Sequence, residues 1–457
     1  MKNLSMGREK AQNRGLASFN DCNCVYQTFD KIQTRPHILA CLENGGGRLM
    51  VGIKLIKHMF AGAVLLALAS CQTPLGGLTG SGAQNQLPPA TDGSVTNIPT
   101  AANGEIVGTG TVRVAMLLPI TGAGNPAKIA KELRNAAKMA VNDIGPERIQ
   151  LVIKDTKGQS GTSQDLANEA VREGASLVLG PLLSSNVSAA AGITQPANIP
   201  MVAFSTDTNV ARRGVYLNSF PPQLDARRVL TYAASKGKKS ILAILPEGAY
   251  GIVVEAELRR TVAATGGQVV AVGKYSPQGD ASAILSSIQT AVQGVAAQAA
   301  AADAIYVPYF ANIASAVVDA FDSNGVSITG KQILGSGLWY TDRSNKANLR
   351  GAWFAERNQA EFNAFVNRYR GIYSEEPGFN AGLGYDAVSL AIGLSGAFGT
   401  QAFTASNLEN LNGFSGVTGL FRFNSQGRPE RGLAVYQYTG GTPTVLEQAP
   451  STFTQNF

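Results

Sequence analysis

Residues 72–457 contain neither histidine nor cysteine: the two histidines are His37 and His58, and the four cysteines are Cys22, Cys24, Cys41 and Cys71. Ser-His-Asp and Cys-His nucleophile systems, histidine-ligated zinc, thiolate metal sites and an intrachain disulfide are therefore closed to this stretch. No G-x-S-x-G elbow, P-loop or S-x-x-K with its partner motifs occurs. What remains is hydroxyls, a carboxylate and aromatic rings in short polar segments. These are Thr121 in 119–124, Ser184 and Ser185 in 180–187, Ser205, Thr206 and Asp207 in 205–209, Tyr250 in 246–251, Phe310 beside Tyr309, and Trp339 in 335–339. Hydroxyls beside free backbone N–H groups at a helix N-terminus can hold a carboxylate; the same serines can equally serve as plain helix caps. The aromatics can be core or a lid over a cleft. This is chemistry for gripping a ligand. No enzyme, metal or cofactor is expected, although Ser–Lys and paired-carboxylate catalysis are not excluded by residue type.

These segments fall where strands should end. Val112–Leu118 reads as a buried strand, followed by a helix with Ile129, Leu133, Ala136, Ala140 and Ile144 near one face. Strand 149–154, helix 163–173, strand 176–180, helix 184–193 and strand 200–204 follow. The pattern restarts with helix 224–236, strand 240–245, helix 252–265, strand 268–274, a long Ala/Gln-rich helix at 282–301, strand 304–307, helix 313–323 and strand 332–335. Such alternation predicts parallel strands with helical crossovers, and two α/β units in about 347 residues exceed one typical core. Residues 362–373 and 379–396 read as further helices. Residues 419–423 and 432–438, around Asn424-Ser425-Gln426-Gly427, read as a β-hairpin.

The N-terminal 110 residues have another character. Residues 59–68 are an apolar run too short to span a bilayer, preceded by Lys54 and Lys57 and followed by Ala69-Ser70-Cys71. Residues 50–70 thus read as a secretory signal starting at Met50, and 1–49 as an over-extended gene model. Residues 71–110, with Gly76-Gly77, Gly80-Ser81-Gly82 and Pro88-Pro89, read as a flexible tether with a mean reach of about 35 Å and a stretched limit of about 130 Å. Nine of the 38 Lys+Arg and four of the 31 Asp+Glu lie in residues 1–70, so the net charge of +7 falls to about +2 without them. Only scattered pairs such as Arg212-Arg213, Arg227-Arg228 and Arg259-Arg260 remain, which argues against a nucleic-acid surface.

Leu68-Ala69-Ser70-Cys71 resembles a bacterial lipobox, which implies acylation of Cys71; Gln72, by resemblance to lipoprotein sorting rules, implies the periplasmic face of the outer membrane. Residues 111–457 resemble type I periplasmic binding proteins, the leucine-binding group included. The resemblance rests on the two-unit order, Gly180-Pro181-Leu182-Leu183-Ser184-Ser185, Ala249-Tyr250-Gly251 and the terminal hairpin. It implies two Rossmann-like α/β lobes with parallel central sheets joined by three hinge crossovers: lobe I from 111–222 plus 356–415, lobe II from 223–355 plus 416–457. Leu117-Leu118-Pro119-Ile120-Thr121-Gly122 and Gly180 to Val187 further resemble penicillin-binding-protein activator lipoproteins. That resemblance implies a partner, a peptidoglycan synthase, and sets the first expectation. The alternative is the solute receptor of an ABC importer for an amino acid or related small carboxylate. By resemblance to such receptors, the ligand carboxylate maps onto Ser184 or Ser185 and Ser205 or Thr206, with Tyr250 or Phe310 nearby. The acidic partner for an ammonium falls near 335–339, which contains no carboxylate; Asp207 and Asp342 are the substitutes in sequence.

Overall fold

The computed structural model describes residues 101–342 and 344–453. The expectations for residues 1–100, including the signal, the lipidated Cys71 and most of the tether, lie outside the described residues.

The first lobe is built on strands β1 (Glu105–Val107), β2 (Val112–Leu118), β3 (Ile149–Asp155), β4 (Leu177–Leu179), β5 (Met201–Ala203) and β6 (Val215–Leu217), in the sheet order β1-β3-β2-β4-β5-β6. All pair in parallel except β1, which runs antiparallel to β3. Helices α1 (Gly124–Ile144), α2 (Ser160–Arg172) and α3 (Ser184–Thr194) make the crossovers. The folded body therefore begins before the expected tether end at 110. Buried Lys154 bonds to Glu169 and Glu173 at 3.0 Å each and to the Asn103 carbonyl, while Glu105 pairs with Arg134 and Lys138. These contacts hold β1 to the sheet edge.

Lobe II repeats the plan with α4 (Pro222–Ser235), β7 (Ser240–Pro246), α5 (Ala249–Ala264), β8 (Gln268–Tyr275), α6 (Ala281–Val295), β9 (Ala304–Tyr306), α7 (Ala311–Ser323), β10 (Gln332–Leu334) and β11 (Trp353–Glu356). The chain then returns to lobe I with α8 (Gln359–Tyr373), α9 (Ala381–Phe398), α10 (Ala405–Leu408) and a small antiparallel sheet of β12 (Phe414–Gly416), β13 (Gly419–Phe423) and β14 (Pro429–Arg431). It crosses once more to add β15 (Ala434–Gln437) and β16 (Thr444–Glu447) to the lobe II sheet, whose order is β16-β15-β11-β10-β9-β7-β8.

The expected hairpin of 419–423 with 432–438 is corrected by this register. β13 pairs with β14, and β15 pairs instead with β11, Ala434 opposite Glu356. Residues 416–431, expected in lobe II, pack with lobe I: Phe421 and Phe423 join its core, and the Gly427 carbonyl accepts from the Leu217 N–H of β6 at 2.9 Å.

The lobe I core stacks Val114, Met116 and Leu118 of β2 against Leu133, Ala137 and Ala140 of α1 and Leu383, Ala387 and Ala391 of α9. Among the described residues, Ala381–Gln401 is the one helical stretch long and apolar enough to cross a membrane, and most of it is buried inside this lobe. Its close approach to α1 needs Gly384, where a Cβ would collide with the Leu133 carbonyl; Gly393, in the same helix, faces open space. We expect Gly384→Ala to cost about 1–3 kcal/mol through overpacking. Gly393→Ala should instead stabilise by up to about 1 kcal/mol through helix propensity. Urea titrations of the two variants check the opposite signs.

The three crossings meet in one buried polar cluster. Arg431, at the third, donates to the Ser219 carbonyl at 2.7 Å and Asn218 Oδ1 at 2.6 Å in the first, and to Thr418 Oγ1 at 3.0 Å. Its guanidinium lies 3.9 Å from the Phe220 ring centroid. Asp386 accepts from the Val417 N–H at 2.7 Å and from the Thr418 N–H at 3.0 Å. Arg357, in the second crossing, donates to the Phe379 carbonyl at 2.9 Å and lies over the rings of Phe362 and Phe379, 3.6 and 4.0 Å from their centroids.

Candidate functional site

The chain leaves lobe I from the carboxyl end of β6 and lobe II from the carboxyl end of β11, and β15 starts opposite that same end. The crossings therefore lie at the carboxyl ends of both parallel sheets. Those ends, where open α/β sheets bind ligands, therefore stand on the side where the two lobes join.

On the lobe I side, β4 ends in Gly180, whose φ of +80° turns the chain where a Cβ would strike the Leu117 carbonyl. α3 then starts with Leu183 as its N-cap, so neither Ser184 nor Ser185 caps the helix, and among the described residues no side chain caps its first N–H groups. Those donors are left for another acceptor. Ser184 is half-buried and Ser185 exposed. Buried Ser205 accepts from the Asp207 N–H at 3.2 Å, and Asp207 caps the short helical turn Thr208–Val210 through the Asn209 N–H at 3.0 Å. Thr206 lies between them, half-buried. Thr121 is exposed and donates through its hydroxyl and N–H to Asp155. Burial works to raise the Asp155 carboxyl, but hydrogen bonds from Thr121 and the Lys157 backbone outweigh it and hold it below its ordinary value.

From lobe II come half-buried Tyr250, Tyr309 and Phe310. The Tyr309 ring meets Tyr250 edge-on at 5.4 Å and Phe310 at 4.6 Å, and the Tyr250 hydroxyl donates to the Pro308 carbonyl. Trp339, expected as a ligand contact, is 0% exposed in the lobe II core against Phe354 and Tyr438. Its indole N–H donates to the Tyr309 carbonyl at 2.6 Å, and the Ser336 hydroxyl reaches the same oxygen at 3.2 Å. Trp339 thus holds the aromatic ledge from beneath and makes no part of its surface.

Sequence reasoning missed two carboxyls at the end of β10. Asp225, in the first turn of α4, accepts from the Gly337 N–H at 2.9 Å, and Glu356 Oε2 fills the space a side chain on Gly337 would need. Burial pushes Asp225 up to about 7, opposed by the Gly337 and Ala226 N–H groups and reinforced by Glu356. Burial likewise pushes Glu356 up to about 7 against the pull of Arg357. No sequence signal links positions 225, 337 and 356. Among the described residues, no group of three His, Cys, Asp or Glu side chains could hold a metal.

Two hinged α/β lobes with strand ends at their junction define a two-lobed binding protein. The chain belongs to the periplasmic binding protein family, whose model matches residues 111–442, and its fold is the type I architecture. No curated protein matches the sequence. Among solved structures, a Rhodospirillum rubrum protein described as a candidate branched-chain amino acid ABC transporter is similar at 19% identity and a TM-score of 0.62, over 73% of this chain and 99% of that one. A Desulfitobacterium hafniense ABC transporter substrate-binding protein in complex with Leu is similar at 20% identity and a TM-score of 0.54, over 73% and 99%. A Rhodopseudomonas palustris solute-binding protein in complex with 3,4-dihydroxybenzoic acid is similar at 20% and 0.52, over 74% and 96%.

Proposed function

We propose that this protein is the solute receptor of an ABC importer and closes its two lobes on an amino acid or a related small carboxylate, without catalysis. One observation carries the reading: the uncapped N-terminus of α3 and the aromatic ledge of lobe II stand at strand ends on the side where the two lobes join. The first offers hydrogen-bond donors to a carboxylate, and the second offers apolar surface to the rest of the solute. The named solutes of the similar structures are small carboxylates as well. A thermal-melt panel of amino acids and aromatic acids tests it. A true solute at a hundred-fold excess over its Kd stabilises by about 2.7 kcal/mol, an upward shift of about 5 °C. A flat response across the panel removes the reading.

A second reading, activation of a peptidoglycan synthase from the outer membrane, is supported by the segment 180–187 and by Cys71-Gln72. A pull-down of penicillin-binding proteins from membranes of the source cells tests it, and recovery of none counts against it.

A further inference from the structure

We propose that residues 448–453 form a latch, a fourth and breakable link between the lobes that braces the third crossing and limits how far the lobes part. The latch needs no solute and is independent of the receptor reading. β16 is the outermost strand of the lobe II sheet, paired to β15 and tied to α4 by Glu447 and Arg228 at 2.6 Å. The chain then leaves that lobe. Ala449 still packs on the lobe II core, and Pro450 lies against Gly432, its carbonyl and ring crowding the space a Cβ there would take. Phe453 enters lobe I and is 7% exposed. Its ring occupies the place a Cβ on Gly413 would need, where the backbone φ is +73°. The Arg422 guanidinium of β13 lies 4.3 Å from the ring centroid and is itself fixed by Glu430 at 2.6 Å and the Leu411 carbonyl at 2.7 Å. Of these six residues only Phe453 is buried.

Gly432 belongs to the third crossing, between Arg431 of β14 in lobe I and Ala434 of β15 in lobe II, and its N–H is held to the Leu420 carbonyl at 2.9 Å. Rotation of one lobe against the other changes backbone torsions at the crossings, and a glycine absorbs such change most readily. Pro450 obstructs that change for as long as Phe453 is seated. The three crossings are covalent and cannot let go. The latch can, because its grip on lobe I centres on one buried ring over a guanidinium. Its release is a local opening that leaves both lobes folded.

The test is single-molecule FRET on the full chain, with p-acetylphenylalanine introduced and labelled at two exposed positions, Gln164 on α2 and Gln289 on α6, so that the native cysteines are untouched. Phe453→Ala should raise the fraction of molecules with wider lobe separation about ten-fold, and Phe453→Leu, which keeps apolar bulk but loses the ring, should fall between it and the parent. Amide exchange across 432–438 should quicken about ten-fold in Phe453→Ala, while β2 and β7 keep the parent's rates. A distance distribution in Phe453→Ala that matches the parent's overturns the latch. So does exchange that quickens evenly through lobe I with a lower melting temperature, which would make Phe453 an ordinary part of that lobe's core.

Discussion

Arg431→Met is expected to lower folding stability by about 3–5 kcal/mol, about 6–9 °C in melting temperature. The guanidinium makes three hydrogen bonds, two of them to the first crossing, and packs on Phe220. It is also a counter-charge to buried Asp386. A methionine fills most of the volume but leaves the Ser219 carbonyl and Asn218 Oδ1 without their donor and Asp386 without that charge. Burial already raises the Asp386 carboxyl, against hydrogen bonds from Thr418 and the attraction of Arg431; loss of Arg431 raises it further. Asp386→Asn in the same background should recover at least half of the loss, because it removes the stranded charge. A single-variant loss under about 1 kcal/mol, measured by urea titration, would show that the cluster does not brace the crossings.

The second large effect is on pH. Asp225 and Glu356 both titrate near 7 in the folded protein, above ordinary carboxyl values of about 4. A raised acid binds its proton more tightly when folded, so its stabilising contribution is complete below about pH 4 and is lost as pH rises to about 7. Glu132 and Asp386 are raised by burial in the same sense. Glu257, held low by Arg227 and Arg260 against its burial, and Asp303, held low chiefly by the Ser240 N–H, work the other way, and their contributions disappear in acid. Stability should therefore peak on the acid side of neutrality and fall by about 5 kcal/mol between pH 5 and pH 8. Glu356→Gln should remove at least half of that slope, since it deletes one titration and relieves Asp225 of its neighbour. Equal urea midpoints for the parent at pH 5 and pH 8 would exclude this account.

The alternation of apolar strands and amphipathic helices was readable because β2, β3, β7 and β8 are long enough to show it. β6 and β11, three and four residues long, gave no pattern of their own; their places come from neighbours in the sheet. The turn at 424–427 was evident from its Asn and Gly, but which strand follows it was not. Pro429 begins the true partner strand, whereas the more apolar 434–437 looked the better match. That Thr121, Ser184, Ser205 and Tyr250 stand at strand ends was readable because strand-end loops have a local composition. Trp339 was misassigned because an aromatic residue in such a loop reads alike whether it points to solvent or core. Asp225 and Glu356 were invisible for a different reason: 131 residues separate them, and only the folded lobe sets both against Gly337.

The edge strand β1 has a mechanical meaning. It is riveted to lobe I by Lys154, Arg134 and Lys138, so any tension on the upstream chain enters the molecule through that lobe. Were the chain held from this end, lobe I would be the fixed jaw and lobe II the moving one. A leash on this end leaves the bite free, and whatever reads the closed state should feel lobe II change place.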